Sequence, residues 1–384
     1  MSLEQSRATR IDVIDGLRGI AILGVIYTHV TVQKLTPPGW HGIDIGGFLL
    51  SPFTMFSNGG HGVPLFFLLS GFVLYLPYAL GLRTMVQWKD VIAFYHRRAR
   101  RLLPLYYIHI FFLATFIRVA AYPRETLKTL FLMSSFLFPF SYAWLEVCKK
   151  FNLGLWSLGV ELWFCVLMPF IVWGAKKIGF RPVLLAFILL ALGARFTYGM
   201  VFPSKVFWWS MNSIGGCLVD FVLGMTIAHE YATATIRTER NRWLVLGAVI
   251  ILFGFLCSDL MLIRQAPVSL MEINELLVVI GFALFLYGLL FTRIKIVRFL
   301  FANWPLQLIG MMCYSLYIWH NNAITSLQPF QSPIRFLRYA FLLGTLSFLS
   351  YRYIEFGFVR DIRLLLPPWH GKPKADDQLA IVSQ

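Results

Sequence analysis

Eleven apolar stretches divide this 384-residue chain, near 13–32, 60–80, 103–121, 127–143, 156–175, 182–201, 213–230, 243–261, 274–292, 304–324 and 336–356. Most approach the roughly 20 helical residues needed to cross a bilayer core of about 30 Å. Charged residues make up 14% of the chain and hydrophobic ones 58%, whereas a soluble domain carries about 25% charged residues. So little charge cannot clothe a surface facing water. The sequence therefore specifies an all-α polytopic membrane protein.

Basic residues fix its sidedness. They cluster at Arg7 and Arg10, from Arg83 to Arg101, at Lys176, Lys177 and Arg181, at Arg237, Arg240 and Arg242, at Arg293, Lys295 and Arg298, and at Arg360 and Arg363. Cytoplasmic loops carry the excess of Lys and Arg, so both termini are expected to be cytoplasmic. That requires an even number of crossings, and one of the eleven stretches must fail to cross. The expected exception is 127–143, interrupted by Ser134, Ser135 and Pro139 and read as a re-entrant or partial helix. About ten transmembrane helices then make one domain, residues 1–363, followed by a short cytoplasmic tail, 364–384, whose polar, Pro- and Gly-containing composition predicts disorder. The net charge of +16 thus reports topology, and no nucleic-acid partner is expected. Asp12, Asp15 and Arg18 interrupt the first apolar run, which is not read as a signal peptide. The five cysteines are scattered without a Cys/His cluster at zinc spacing, so no metal is expected.

Ionisable groups inside spans are costly and mark function by default. On the first helix, Asp15 and Arg18 are three apart and can pair. Arg18 and His29 are separated by about 16 Å of rise, close to three turns, and share a face, with His29 in the outer half as interfacial anchor or catalyst. Ser70 and Gly71, in Leu69-Ser70-Gly71-Phe72, are small residues of the kind that let helices approach. The 83–101 loop holds six basic residues against Asp90 alone. Its Arg97, Arg98 and Arg101 suit phosphates or anionic lipid headgroups. Glu161, among the aromatics of Trp156-Ser157-Leu158-Gly159-Val160-Glu161, needs protonation or a partner. His320 ends Ser315-Leu316-Tyr317-Ile318-Trp319-His320 as anchor or catalyst. Arg352 and Glu355 are spaced for an i,i+3 pair.

Taken together these strings resemble the acyltransferase 3 family of bacterial integral-membrane O-acyltransferases. The matching pieces are Asp15-Gly16-Leu17-Arg18-Gly19 with His29 eleven residues after Arg18, Phe67-x-x-Ser70-Gly71-Phe72, and Phe94-x-x-Arg97-Arg98-x-x-Arg101-x-x-Pro104. Trp156-Ser157-Leu158-x-Val160-Glu161, Ser315-Leu316-Tyr317-x-Trp319-His320 and Tyr351-Arg352-x-Ile354-Glu355 follow in order. One departure is Glu161-Leu162-Trp163, where many members resemble Glu-Glu-Gln. No appended hydrolase-like segment follows residue 363, so the resemblance implies a standalone member.

The resemblance implies transfer of an acyl group, usually acetyl, from cytoplasmic acyl-CoA to a hydroxyl of an extracytoplasmic or lipid-linked glycan, in a multi-pass protein of the bacterial inner membrane. Arg97, Arg98 and Arg101 would hold the CoA phosphates, and Arg18 would steady the donor or pair with Asp15. His29 would act as general base, with Glu161 orienting its ring. Ser70, Ser157 or Tyr317 would donate to the oxyanion, with His320 in a supporting place. A transient acyl-His or acyl-Ser is the covalent variant. Trp40, His41, Asp44 and Asn58, in or beside the 31–59 loop, are candidate sugar contacts. The rival class is a proton-coupled secondary transporter whose relay is Asp15, His29, Glu161 and Asp220.

Overall fold

The computed structural model describes residues 11–32, 43–44, 49–50, 58–114, 123–201, 213–234, 240–263, 267–329 and 332–356. Helix α1 (Asp12–Val32) opens with Asp12 and Asp15 in its first turn, where acids complement the positive end of the helix dipole. A two-residue antiparallel ladder, β1 (Ile43–Asp44) with β2 (Leu49–Leu50), and a 3-10 turn at Asn58–His61 lead into α2 (Gly62–Ala79). Then come α3 (Trp88–Leu113), α4 (Pro123–Ser134), a 3-10 turn at Phe138–Phe140, α5 (Tyr142–Phe151), α6 (Trp156–Ile178), α7 (Phe180–Val201) and α8 (Ile214–Thr233). The chain continues through α9 (Asn241–Ile263), α10 (Val268–Phe291), α11 (Lys295–Ala302), α12 (Trp304–Met311), α13 (Cys313–Leu327) and α14 (Pro333–Ser350), closing on a π-helical turn at Tyr351–Glu355.

Among the described residues, six helical stretches are long and apolar enough to cross a membrane: Asp12–Val30, Asn58–Ala79, Trp156–Ile178, Phe180–Thr197, Asn241–Ser258 and Ser269–Phe291. A seventh arises when Lys295–Met311 and Cys313–Leu327, bent by 63° at their junction, count as one span. Apart from the two-residue ladder, the fold of the described residues is thus an all-helical, multi-pass architecture. Leu185, Leu189, Phe253 and Phe341 lie exposed on its flanks, as a lipid-facing surface requires.

Close helix contacts form where side chains are absent. A Cβ on Gly71 would overlap the backbone of Phe221, and one on Gly224 the backbone of Leu68, so α2 and α8 meet backbone to backbone. The expectation that small residues beside Ser70 serve close approach is met at Gly71. At the other contact, Gly310 of α12 abuts the Asp15 backbone of α1 and Gly19 abuts Leu306. Aromatics and cations mark one end of the bundle: Lys177 sits over Trp173 at 4.9 Å, and Arg240 over Tyr287 and Phe291 at 4.5 Å. At that same end Arg298 of α11 meets Asp12 of α1 at 3.4 Å.

Three stretches depart from the sequence reading. Most of the basic loop 83–101 is helix, forming the first half of α3 behind a capping box between Gln87 and Asp90; Lys, Arg and Ala favour helix, and the cap satisfies the free N–H groups of its first turn. Segment 127–143 is not one partial helix. It breaks after α4, whose 12 residues rise only about 18 Å; Ser135 bonds back to the Phe131 carbonyl at 2.7 Å and Phe136 takes φ 54°. A further helix, α5, follows, unforeseen in the sequence. The expected span 304–324 is broken at Met312, whose φ −88° and ψ 6° leave the helical range while Gly310 is held against α1. Arg7, Arg10, Arg237, Arg360, Arg363 and the tail 364–384 lie outside the described residues.

Candidate active site

A cavity opens between α1, α2, α3, α6 and α13, lined in part by Arg18, Arg98, Arg101, Ser70, Ser157, Glu161, Cys313 and Tyr317. Seven of the side chains singled out in the sequence, Arg18, Ser70, Arg98, Arg101, Ser157, Glu161 and Tyr317, meet here, brought from five helices. Arg98 and Arg101 share a face because they are three apart on α3, a geometry that exists only because that stretch is helical. Their Nε–H groups are buried without an acceptor. Arg97 points elsewhere, hydrogen-bonded to Tyr78 near Arg83.

Glu161 is the cavity's counter-charge. Arg98 Nη2 donates to its Oε1 at 3.2 Å, and Ser70 Oγ donates to the same oxygen at 3.2 Å. Asp15 and Arg18 form the expected i,i+3 pair at 3.7 Å. Ser157 Oγ donates to Tyr317 Oη at 2.7 Å, and Tyr317 Oη donates to the Gly154 carbonyl at 2.7 Å. The hydroxyl hydrogens of Ser70, Ser157 and Tyr317 are therefore already committed, whereas the two arginine Nε–H groups are not.

His29 does not line the cavity; it adjoins it through His320. The partner of its ring is His320 and not Glu161: His29 Nδ1 lies 2.7 Å from His320 Nε2, and the rings stack with centroids 4.9 Å apart. His320 Nδ1 in turn lies 2.6 Å from the Tyr317 carbonyl oxygen. A carbonyl only accepts, so His320 Nδ1 carries the hydrogen. In the neutral ring its Nε2 must then accept from His29 Nδ1–H, which leaves the lone pair of His29 on Nε2. His320 is 0% exposed and half-buried His29 is the member within reach. His320 also packs against the Tyr317 ring at 5.4 Å, which joins the pair to the cavity wall.

Glu355 pairs with Ser315, whose hydroxyl donates to it, and not with Arg352, which lies over the Tyr353 ring. Asp220 is buried, with Arg195 and Glu275 as its charged neighbours. Of the outer-loop sugar candidates, Trp40 and His41 lie outside the described residues, Asp44 sits in β1, and the Asn58 amide donates to the Phe255 carbonyl at 3.4 Å.

Sequence reasoning missed a polar layer beside His320. Asn152 Nδ2 donates to Asn322 Oδ1 at 2.7 Å and lies 3.1 Å from His109 Nε2, while Gly154 N donates to Asn152 Oδ1 at 2.9 Å. The signal was present: Asn321-Asn322 directly follow His320 inside an apolar segment, and polar groups there are costly.

The acyltransferase domain model of the Acyl_transf_3 family matches residues 11–351, nearly the whole hydrophobic region, and the chain belongs to this family. Among its relatives, O-acetyltransferase OatA of Staphylococcus aureus (strain NCTC 8325 / PS 47) is 24% identical over 367 residues, covering 89% of this chain and 56% of the relative. A putative O-acetyltransferase, SACOL0978 of Staphylococcus aureus (strain COL), is 26% identical over 405 residues, covering 91% of this chain and 57% of the relative. The chain spans about half the length of the curated relatives it matches. No solved structure matches it.

Proposed function

We propose that the chain is a membrane O-acyltransferase that moves an acyl group, acetyl by the name its relatives carry, from cytoplasmic acyl-CoA to a hydroxyl of an extracytoplasmic or lipid-linked glycan. On this reading α3, α8 and α14 cross the bilayer together with the six apolar helices and the bent pair, giving ten crossings with both termini cytoplasmic in a bacterial inner membrane. The observation that carries it is the cavity with unpartnered arginine Nε–H groups on its wall and Tyr317, backed by the His29–His320 pair, on the same wall.

Arg98 and Arg101, with Arg18, grip the phosphates of the donor through charge-assisted hydrogen bonds, and the pantetheine arm follows the cavity toward Tyr317. The acceptor hydroxyl gives its proton to His29 Nε2 as its oxygen attacks the thioester carbonyl. Collapse of the tetrahedral species breaks the C–S bond, and the departing thiolate takes that proton from His29. His320 performs the task expected of Glu161: it holds the ring in one tautomer, spreading the developing charge toward the Tyr317 carbonyl. Glu161 instead holds Arg98 and Ser70 in place.

The test is acyl transfer in membranes containing correctly inserted protein, with binding of CoA to the purified chain measured in parallel. Loss of transfer in His29→Ala with CoA binding kept, and loss of CoA binding in Arg98→Ala/Arg101→Ala, are the expected results. Undiminished transfer by His29→Ala would end the assignment.

A further inference from the structure

Outside that cavity a second cluster has the connectivity of an activated nucleophile. His61, the last residue of the 3-10 turn before α2, reaches the α9–α10 hairpin, where its Nδ1 lies 3.1 Å from Glu275 Oε2 and its Nε2 lies 3.3 Å from Ser258 Oγ. An ionised carboxylate only accepts, so His61 Nδ1 carries the ring hydrogen and Nε2 keeps its lone pair. Asn274 Nδ2 donates to Ser258 Oγ at 2.8 Å and to the Gly254 carbonyl at 3.0 Å. With one lone pair taken by that amide, the Ser258 hydroxyl hydrogen is directed at His61 Nε2. The ring is fixed by stacking on Phe255, with centroids 5.1 Å apart. His61 and Glu275 are each 7% exposed, while Ser258 is only half-buried, so base and orienting acid are shielded and the nucleophile is reachable.

We infer that Ser258, His61 and Glu275 form a second reactive centre, in which Ser258 accepts an acyl group from a carboxylic ester. Nucleophile, base and orienting group stand within hydrogen-bond reach in that order, which is the diagnostic arrangement for such chemistry. The Ser258 Oγ–acyl bond forms as the hydroxyl proton passes to His61 Nε2. The ester C–O bond then breaks and the alcohol leaves with that proton. Water, deprotonated by the same nitrogen, releases the carboxylic acid and restores Ser258. A network that merely pins the turn to the hairpin has the same hydrogen bonds but an unreactive hydroxyl, and reactivity separates the two.

The experiment treats the purified full-length protein in detergent with a fluorophosphonate probe, which esterifies activated serines, and locates the adduct by peptide mass spectrometry. The expected result is an adduct on Ser258, absent in Ser258→Ala and formed at least tenfold more slowly in His61→Gln. Since replacing His61 can loosen the hairpin, Glu275→Gln provides the second variant: it keeps the shape, removes the charge and is expected to slow labelling at least tenfold while the protein elutes as a single species. An unlabelled Ser258 in the wild-type protein, or equal labelling rates in the wild type and Glu275→Gln, overturns the inference. Because His29 takes no part, acyl transfer from CoA can fail or succeed independently of this outcome.

Discussion

His320 carries the sharpest expectation for a single residue. Its Nδ1–H is fixed on the Tyr317 carbonyl, so its Nε2 faces His29 as an acceptor. Replacement by Ala removes that acceptor and frees the His29 ring to tautomerise without touching the donor site. Steady-state kinetics of His320→Ala should show kcat lowered about 10²-fold, within the range for disturbed general-base catalysis, with KM for the acyl donor nearly unchanged. Arg101 predicts the opposite split. Its buried Nε–H has no acceptor in the cavity, and a hydrogen bond to a charged group contributes about 1.5–3 kcal/mol. Arg101→Ala should therefore weaken CoA binding by roughly one to two orders of magnitude, measured by calorimetry on the purified chain. A change of less than twofold would remove Arg101 from the donor site.

Among the elements, α3 depends on its cap and α2 on a bare glycine. The Asp90 carboxylate accepts from the backbone N–H of Gln87 and of Val86, both at 3.1 Å, and from the Thr84 hydroxyl at 3.4 Å. These bonds, that from Gln87 foremost, hold its pKa below the usual carboxylate value. A carboxyl depressed in the folded state stabilises above its unfolded pKa, and that contribution is lost as pH falls through the folded value. Amide exchange in the first turn of α3 should therefore accelerate below about pH 4; in Asp90→Asn it should be fast at neutral pH and insensitive to acid. Gly71→Val puts side-chain atoms where the Phe221 backbone lies. Overpacking of this kind costs about 1–3 kcal/mol, to be seen as a fall in the midpoint of thermal unfolding in detergent. An unchanged midpoint would mean that α2 and α8 are not in close contact.

On the scale of the whole molecule, sidedness is the testable property. The proposed topology puts the α2–α3 turn and the end of α6 on one face of the membrane, and the turn before α6 on the other. Leu82, Ile178 and Leu153 are exposed at these places, at 51%, 61% and 40% respectively. In a chain with its five native cysteines replaced, Leu82→Cys and Ile178→Cys should react with an impermeant thiol reagent only from the cytoplasmic side, and Leu153→Cys only from the opposite side. Labelling of Leu82→Cys and Leu153→Cys from the same side would refute the count of crossings.

By itself the amino-acid order determined the class of molecule and most of the polar residues that meet in the cavity. Long apolar runs separated by basic clusters leave only a helical membrane protein, and an ionisable group in such a run is conspicuous because hydrocarbon makes it costly. Asp15–Arg18 was legible for a simpler reason: a helix brings residues three apart onto one face. What the sequence left open were the pairings across helices. Glu161 and His29 both needed partners, and local spacing does not say which of several polar side chains at similar depth lies opposite. Packing decided that Arg98 meets Glu161 and His320 meets His29, with bare glycines at Gly71, Gly224 and Gly310 allowing neighbouring helices to meet backbone to backbone. The same holds for Ser258, His61 and Glu275, unremarkable in their separate segments. Hydrogen bonds are satisfied in three dimensions, and only the tertiary structure brings those three side chains within reach of one another.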